Sequence, residues 1–131
     1  MIVLDTPVII WDALLPDLVS PKARKAVEKA NREDGIFICD VSLWEIAALV
    51  RRGRIAVDVP RLEFIRTVLA SNRATVCAID PRIAELAVSL PEEIGPDPAD
   101  RLIAATSIVH KAWLVTADER LRSAKCLRTL W

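Results

Sequence analysis

Five short apolar runs divide the chain. They are IVL (2–4), IFIC (36–39), TVCAI (75–79), WLVT (113–116) and CLRTLW (126–131). The runs are continuous rather than alternating, so they predict strands covered on both faces. The stretches between them carry helical spacing and helix punctuation. Ser20-Pro21 reads as an N-cap followed by Pro at the first helical position, and Gly35 closes that helix. Within it Ala23, Ala26, Val27 and Ala30 share a face at i, i+3, i+4, i+7. A helix from Ser42 to about Arg52 stops at Gly53. Another, about Arg61 to Asn72, turns Leu62, Ile65, Val68 and Leu69 inward. Asp80-Pro81 starts a helix with Ile83, Leu86, Ala87 and Leu90 on one face. After a proline-rich loop, PEEIGPDP (91–98), a helix over about Pro98 to Lys111 is apolar almost all round from Leu102 to Val109, so it should be central and buried. Asp118 starts a short helix. Strands alternating with helices predict an α/β sandwich of three layers around a parallel sheet of five strands. With no repeat or linker, residues 1–131 read as one domain with a single core.

Composition narrows the function classes. Hydrophobic residues are 53% of the chain, which excludes a disordered polypeptide. The formal net charge is zero, so nucleic acid is not held by bulk positive charge, and any contact with it must be local. No signal peptide is apparent, and no apolar run approaches the ~20 residues that span a bilayer, so a cytoplasmic protein is expected. Cys39, Cys77 and Cys126 each fall in a strand-like run, are odd in number and lack CxxC spacing. They read as buried free thiols rather than a disulfide framework or a zinc site. His110 is the only histidine and falls late in a helix, which rules out a multi-His metal centre.

The chemistry lies in the acids. In a parallel α/β sheet, ligands bind at the carboxyl ends of the strands. Asp5 ends the first strand, Glu45 lies early in the helix after the second, and Asp118 follows the fourth. The helix from Asp80 runs down over about ten residues, ~15 Å. The loop 91–97 can climb back ~23 Å. That places Asp97 and Asp100 on the same upper rim. Each acid has a bland alternative. Ser42-Leu43-Trp44-Glu45 fits a capping box, Asp97-Pro98 fits an N-cap with first-turn Pro, Asp100 fits a first-turn acid, and Asp118 can cap its own helix. The four together point further, because clustered carboxylates repel unless a cation lies among them. Oxygen ligands without His or Cys select Mg²⁺ or Mn²⁺. Such a rim suits metal-assisted phosphoryl chemistry.

The segments LDT (4–6), SLWEIA (42–47), DPADRLIAAT (97–106), LVTAD (114–118) and the terminal LW (130–131) resemble, in order and spacing, the PIN-domain family. They are most similar to its VapC-type toxin ribonucleases of type II toxin–antitoxin pairs. The resemblance covers essentially the whole chain. It implies a Mg²⁺-dependent endoribonuclease whose acidic quartet is Asp5, Glu45, Asp100 and Asp118. Thr6, Ser42 and Thr116 match the family's polar supports, and Asp97 matches an additional acid of lesser role. It further implies an RNA substrate (transfer or ribosomal RNA in several relatives), a small VapB-type antitoxin and a homodimer. Pro7, and EEIG (92–95) before the DPxDR stretch, depart from the pattern and bear on substrate preference.

Other features stay open on sequence alone. The basic clusters Lys22, Arg24, Lys25, Lys29, Arg32 and Arg51, Arg52, Arg54 are either RNA contacts or solvated helix faces. Arg101 either contacts phosphate or pairs with a neighbouring acid. VIIWDALL (8–15), with Trp11, is too apolar for a free loop and is either core or an interaction surface. The competing functions are a catalytically inactive PIN-like RNA- or protein-binding module and another metal-dependent phosphodiesterase or phosphatase. A haloacid-dehalogenase-type phosphatase needs an acid where Pro7 stands.

Overall fold

The computed structural model describes residues 1–33 and 35–131. In chain order the elements are β1 (Ile2–Leu4), α1 (Thr6–Leu14), a 3₁₀ turn (Pro16–Leu18), α2 (Pro21–Arg32), β2 (Ile36–Cys39), α3 (Asp40–Arg51), α4 (Arg61–Ser71) and β3 (Thr75–Cys77). They continue with α5 (Pro81–Ser89), a second 3₁₀ turn (Glu92–Ile94), α6 (Pro98–Val109), β4 (Trp113–Val115), α7 (Glu119–Ser123) and β5 (Thr129–Leu130). The five strands form one parallel sheet in the order β3-β2-β1-β4-β5. The chain builds outward from β1 to β3 on one side and then crosses to β4 and β5 on the other. The reversal of direction leaves a crevice between β1 and β4 at the carboxyl edge.

Side-chain alternation along the strands sorts the core into two layers. Ile2, Leu4, Ile36, Ile38 and Val115 pack with Val8, Ile9, Val27, Ile46, Phe64 and Val68, from α1 to α4. Val3, Cys39 and Leu114 pack on the opposite face with Ile83, Ala87, Ile103, Ala104 and Leu121, from α5 to α7. The expected three-layer sandwich is present. Helix α6 is the central one, with Ala99 and every residue from Ile103 to Ser107 buried. Among the described residues no helix is long and apolar enough to cross a membrane.

Several local expectations change. VIIWDALL, left open between core and surface, forms most of α1 and its C-cap, and Val8, Ile9 and Ile10 are core. Pro7 takes an initial position of that helix, where its missing N–H costs nothing. Helix α3 begins at Asp40, directly after β2, and not at Ser42. In α4, Val68 is buried and Ile65 and Leu69 pack against the core as expected, but Phe64 takes the inward place of Leu62, which is 60% exposed. The fifth strand pairs only at Thr129 and Leu130. All three cysteines are free, and Cys39 and Cys77 are buried. Cys126 lies before β5 and is exposed, contrary to expectation.

The loop before α6 is held by Arg101. Its guanidinium donates to the carbonyl oxygens of Ala87 (2.8 Å), Val88 (3.4 Å), Leu90 (2.5 Å), Pro91 (3.3 Å) and Gly95 (2.9 Å). Among the described residues no acid pairs with it, and backbone carbonyls occupy the donors that the sequence left open to phosphate. All of its donors are consumed by backbone. Gly95 adopts φ +92°, and a Cβ there would lie 2.2 Å from Nη1 of Arg120. The positive φ favours glycine there, and the exposed Arg120 would have to move aside for a Cβ.

Candidate active site

The crevice between β1 and β4 collects the acids. Asp5 is the residue after β1. Its N–H continues the ladder to Val115 O (3.1 Å), and its carbonyl accepts from Ile9 N to open α1. A strand that turns straight into a helix leaves this side chain at the sheet edge, 4% exposed. Its two oxygens have separate partners. Oδ1 accepts from Thr6 N at 2.9 Å, and Oδ2 accepts from Thr116 Oγ1 at 2.7 Å. Thr116, fully buried after β4, accepts in turn from Asp118 N at 3.1 Å. One hydroxyl thus ties the acid of β1 to the segment carrying the acid after β4.

A second hydroxyl network holds Glu45. Thr6 Oγ1 lies 2.5 Å from Glu45 Oε1 and 2.8 Å from Ser42 Oγ. A hydroxyl has one proton, and the short contact to a carboxylate is the stronger claim on it, which leaves the Ser42 hydroxyl to donate to Thr6. The capping box is thereby excluded. Ser42 is in the first turn of α3 rather than at its cap, is fully buried, and bonds across to α1 instead of to its own helix. Glu45 is oriented by Thr6, not by a capping role. The cap alternatives hold for the other two sites. Asp97 accepts from Ala99 N (2.8 Å) and Asp100 N (3.3 Å), and Asp118 Oδ1 accepts from Leu121 N (3.0 Å). For Asp118 the cap occupies one oxygen, so capping and a second role are compatible.

Asp5, Glu45, Asp100 and Asp118 line one cleft with Pro7, Trp11 and Ala117. Trp11 leans on Trp131 with ring centroids 5.8 Å apart. Burial, then the charges of Asp97, Asp5, Asp118 and Glu45, push the Asp100 carboxyl up to about 7. Burial also raises Asp5 and Glu45, against the opposing hydrogen bonds from Thr116 and Thr6 to Asp5 and from Thr6 to Glu45. Four acids from four chain segments therefore act on one another. Among the described residues the Asp100 carboxylate accepts no hydrogen bond, although it is half-buried. That is the environment a hard divalent cation relieves, with oxygen donors only and an unpartnered carboxylate among like charges. As the side chains lie, no three acids among the described residues stand close enough to enclose a single ion. The donor chemistry and charge fit a cation, with Asp100 half-buried and Asp118 exposed at the cleft.

Arg51 and Arg52 lie at the far end of α3 from Glu45, exposed, in a groove with Trp44 and Arg61. They are outside the cleft. The basic residues of α2 are exposed on the face opposite Ala23, Val27 and Ala30. His110 caps the end of α6 opposite Asp100 and takes no part in the cleft. Sequence reasoning missed Pro7, Trp11 and Ala117 as cleft-lining residues. The signal available was the unexplained apolar run after Asp5.

Residues 2–125 match the description of the PIN domain. Over 132 positions the chain is 39% identical to "Ribonuclease VapC22" of Mycobacterium tuberculosis (strain ATCC 25618 / H37Rv), covering 99% of this chain and 98% of that one. Among solved structures it is similar to VapBC2 from Rickettsia felis bound to a DNA fragment from their promoter. That match has 18% identity and a TM-score of 0.71, over 98% of this chain and 97% of the other. It is also similar to FitAcB from Neisseria gonorrhoeae, with 18% identity and a TM-score of 0.67, over 98% and 96%. At these identities the structural likeness concerns the fold.

Proposed function

The chain belongs to the PIN-domain family, and from that membership we propose that it is the toxin of a VapBC-type pair. In this reading it is an endoribonuclease that hydrolyses RNA phosphodiester bonds with a divalent cation, Mg²⁺ or Mn²⁺, held by Asp5, Glu45, Asp100 and Asp118. The observation that carries the site assignment is that Asp5, Glu45, Asp100 and Asp118, from four chain segments, line one cleft, in which burial and the neighbouring acids push Asp100 up to about 7. A cation bound there supplies an activated water and screens charge on the phosphate.

The chain's own residues set the geometry. Thr116 and the Thr6 N–H fix both oxygens of Asp5. Thr6, backed by Ser42, fixes Glu45. Asp97 shapes the start of α6 and adds negative charge beside Asp100. Asp100, poised near neutrality without the cation, is the quartet member able to take up or release a proton at its carboxylate at ordinary pH. Residues 1–131 act as one PIN-like domain in the cytoplasm, partnered by a small VapB-type antitoxin and a second copy of the chain.

The test is RNA cleavage by the purified chain across a metal titration. Cleavage is expected with Mg²⁺ or Mn²⁺ and should vanish in EDTA. Undiminished cleavage in EDTA would exclude the metal-assisted reading.

A further inference from the structure

Trp44 precedes Glu45 on α3 but lies on another face. Glu45 meets Thr6, whereas Trp44 is 65% exposed, a large aromatic surface left in water. Trp44, Ala47, Ala48, Arg51 and Arg52 follow the spacing i, i+3, i+4, i+7, i+8, so they form one stripe along the helix. With Arg61, the first residue of α4, they line a single groove that contains no acid. Arg51, Arg52 and Arg61 have no salt bridge or side-chain hydrogen bond among the described residues. From Trp44 to Arg52 the stripe runs ~12 Å down the helix.

We propose that this groove is a track for a single-stranded segment of the RNA substrate, with Trp44 stacking a base and Arg51, Arg52 and Arg61 meeting phosphates. The inference deepens the ribonuclease reading and rests on it. Exposed tryptophans also anchor protein partners. Here the charge favours the polyanion: three unpaired guanidiniums along an aromatic-headed groove are the combination that single-stranded nucleic acids use. A stacked base asks for no particular sequence, and small Ala47 and Ala48 leave the groove floor open to a backbone. The track begins at the residue before Glu45 in α3, on a different face of the same helix.

The experiment measures binding of a labelled single-stranded RNA by the full chain carrying Asp100→Asn, so that binding is read without cleavage. Adding Trp44→Ala should weaken binding about tenfold, and Trp44→Phe, which keeps a stacking face, should restore most of it. Arg51→Ala with Arg52→Ala should flatten the dependence of log affinity on log salt by about 0.7 for each phosphate that no longer meets a guanidinium. In the cleaving protein, Trp44→Ala should raise KM for RNA with little change in kcat. RNA affinity and salt slope unchanged in both variants would overturn the proposal. So would RNA binding unchanged alongside a loss of self-association or antitoxin binding, which would make the groove a protein surface. A parent chain that neither binds nor cuts any RNA would instead overturn the ribonuclease reading beneath it.

Discussion

Asp100 is the residue on which the cleft's electrostatics converge. Its carboxyl is raised from 3.8 to about 7 by burial and by Asp97, Asp5, Asp118 and Glu45. An acid whose folded value is raised binds more protons folded than unfolded, so stability falls as pH rises between the two values. Metal-free protein should therefore melt at progressively lower temperature from about pH 4 to about pH 7, and a divalent cation should restore the loss at the upper end. Asp100→Asn should abolish RNA cleavage and raise the metal-free melting temperature at neutral pH. A gain of about 1 kcal/mol corresponds to roughly 3–5 °C at this size. Asp5 and Glu45 are shifted in the same direction, so the variant's pH slope should shrink rather than disappear. Thermal melts with and without Mg²⁺ at several pH values check both signs. Glu45→Gln is the companion test. The amide oxygen can still accept from Thr6, so the fold should survive within about 1 kcal/mol while turnover falls by orders of magnitude. Wild-type turnover across a Mg²⁺ titration would remove Glu45 from the quartet.

At the scale of elements, the acids depend on two devices away from them. One is the immediate passage from β1 into α1 and from β2 into α3, which brings Thr6 and Ser42 within 2.8 Å. The other is the loop between α5 and α6, which Arg101 holds through five carbonyl oxygens while Gly95 passes Arg120. Arg101→Ala should cost about 2–3 kcal/mol, because the carbonyls lose a charged donor. Gly95→Ala should also destabilise, by about 1–3 kcal/mol, since it forces a non-glycine residue into a positive φ. Both should lower the melting temperature and leave the salt slope of RNA binding unchanged. A reduced slope for Arg101→Ala would return that residue to the substrate surface.

At the scale of the molecule, a sheet whose strand order reverses at β1 and β4 opens one crevice, and every quartet acid reaches it from a different segment. An acidic cleft invites inhibition by a cationic side chain, which can substitute for the metal's charge. The chain expressed alone should arrest growth, and co-expression with its cognate antitoxin should relieve the arrest. The purified complex should be slow to bind Mn²⁺. A complex that leaves Asp5 and Asp118 open to metal and still blocks cleavage would contradict inhibition at the cleft.

The sequence by itself determined the alternation of strands and helices, the layers they form and the rim on which the acids fall. These follow from local periodicity, from Pro and Gly positions, and from the rule that each helix starts where its strand ends. The motifs LDT, SLWEIA, DPADR and LVTAD carried the family for the same reason: they are contiguous. What only the tertiary structure decided depends on partners far away in the chain. Ser42 looked like a cap because its neighbours Trp44 and Glu45 were all the sequence offered, yet its actual partner is Thr6. Arg101 sat beside Asp100 in sequence, but backbone carbonyls from residues 87–95 claimed it. The run 8–15 stayed open between core and surface because its first half is buried on the sheet, while Trp11 is only half-covered, by Trp131 from the other end of the chain. Exposure at Trp44, Leu62 and Cys126 was likewise set by which neighbouring elements cover each face. No local pattern encodes that.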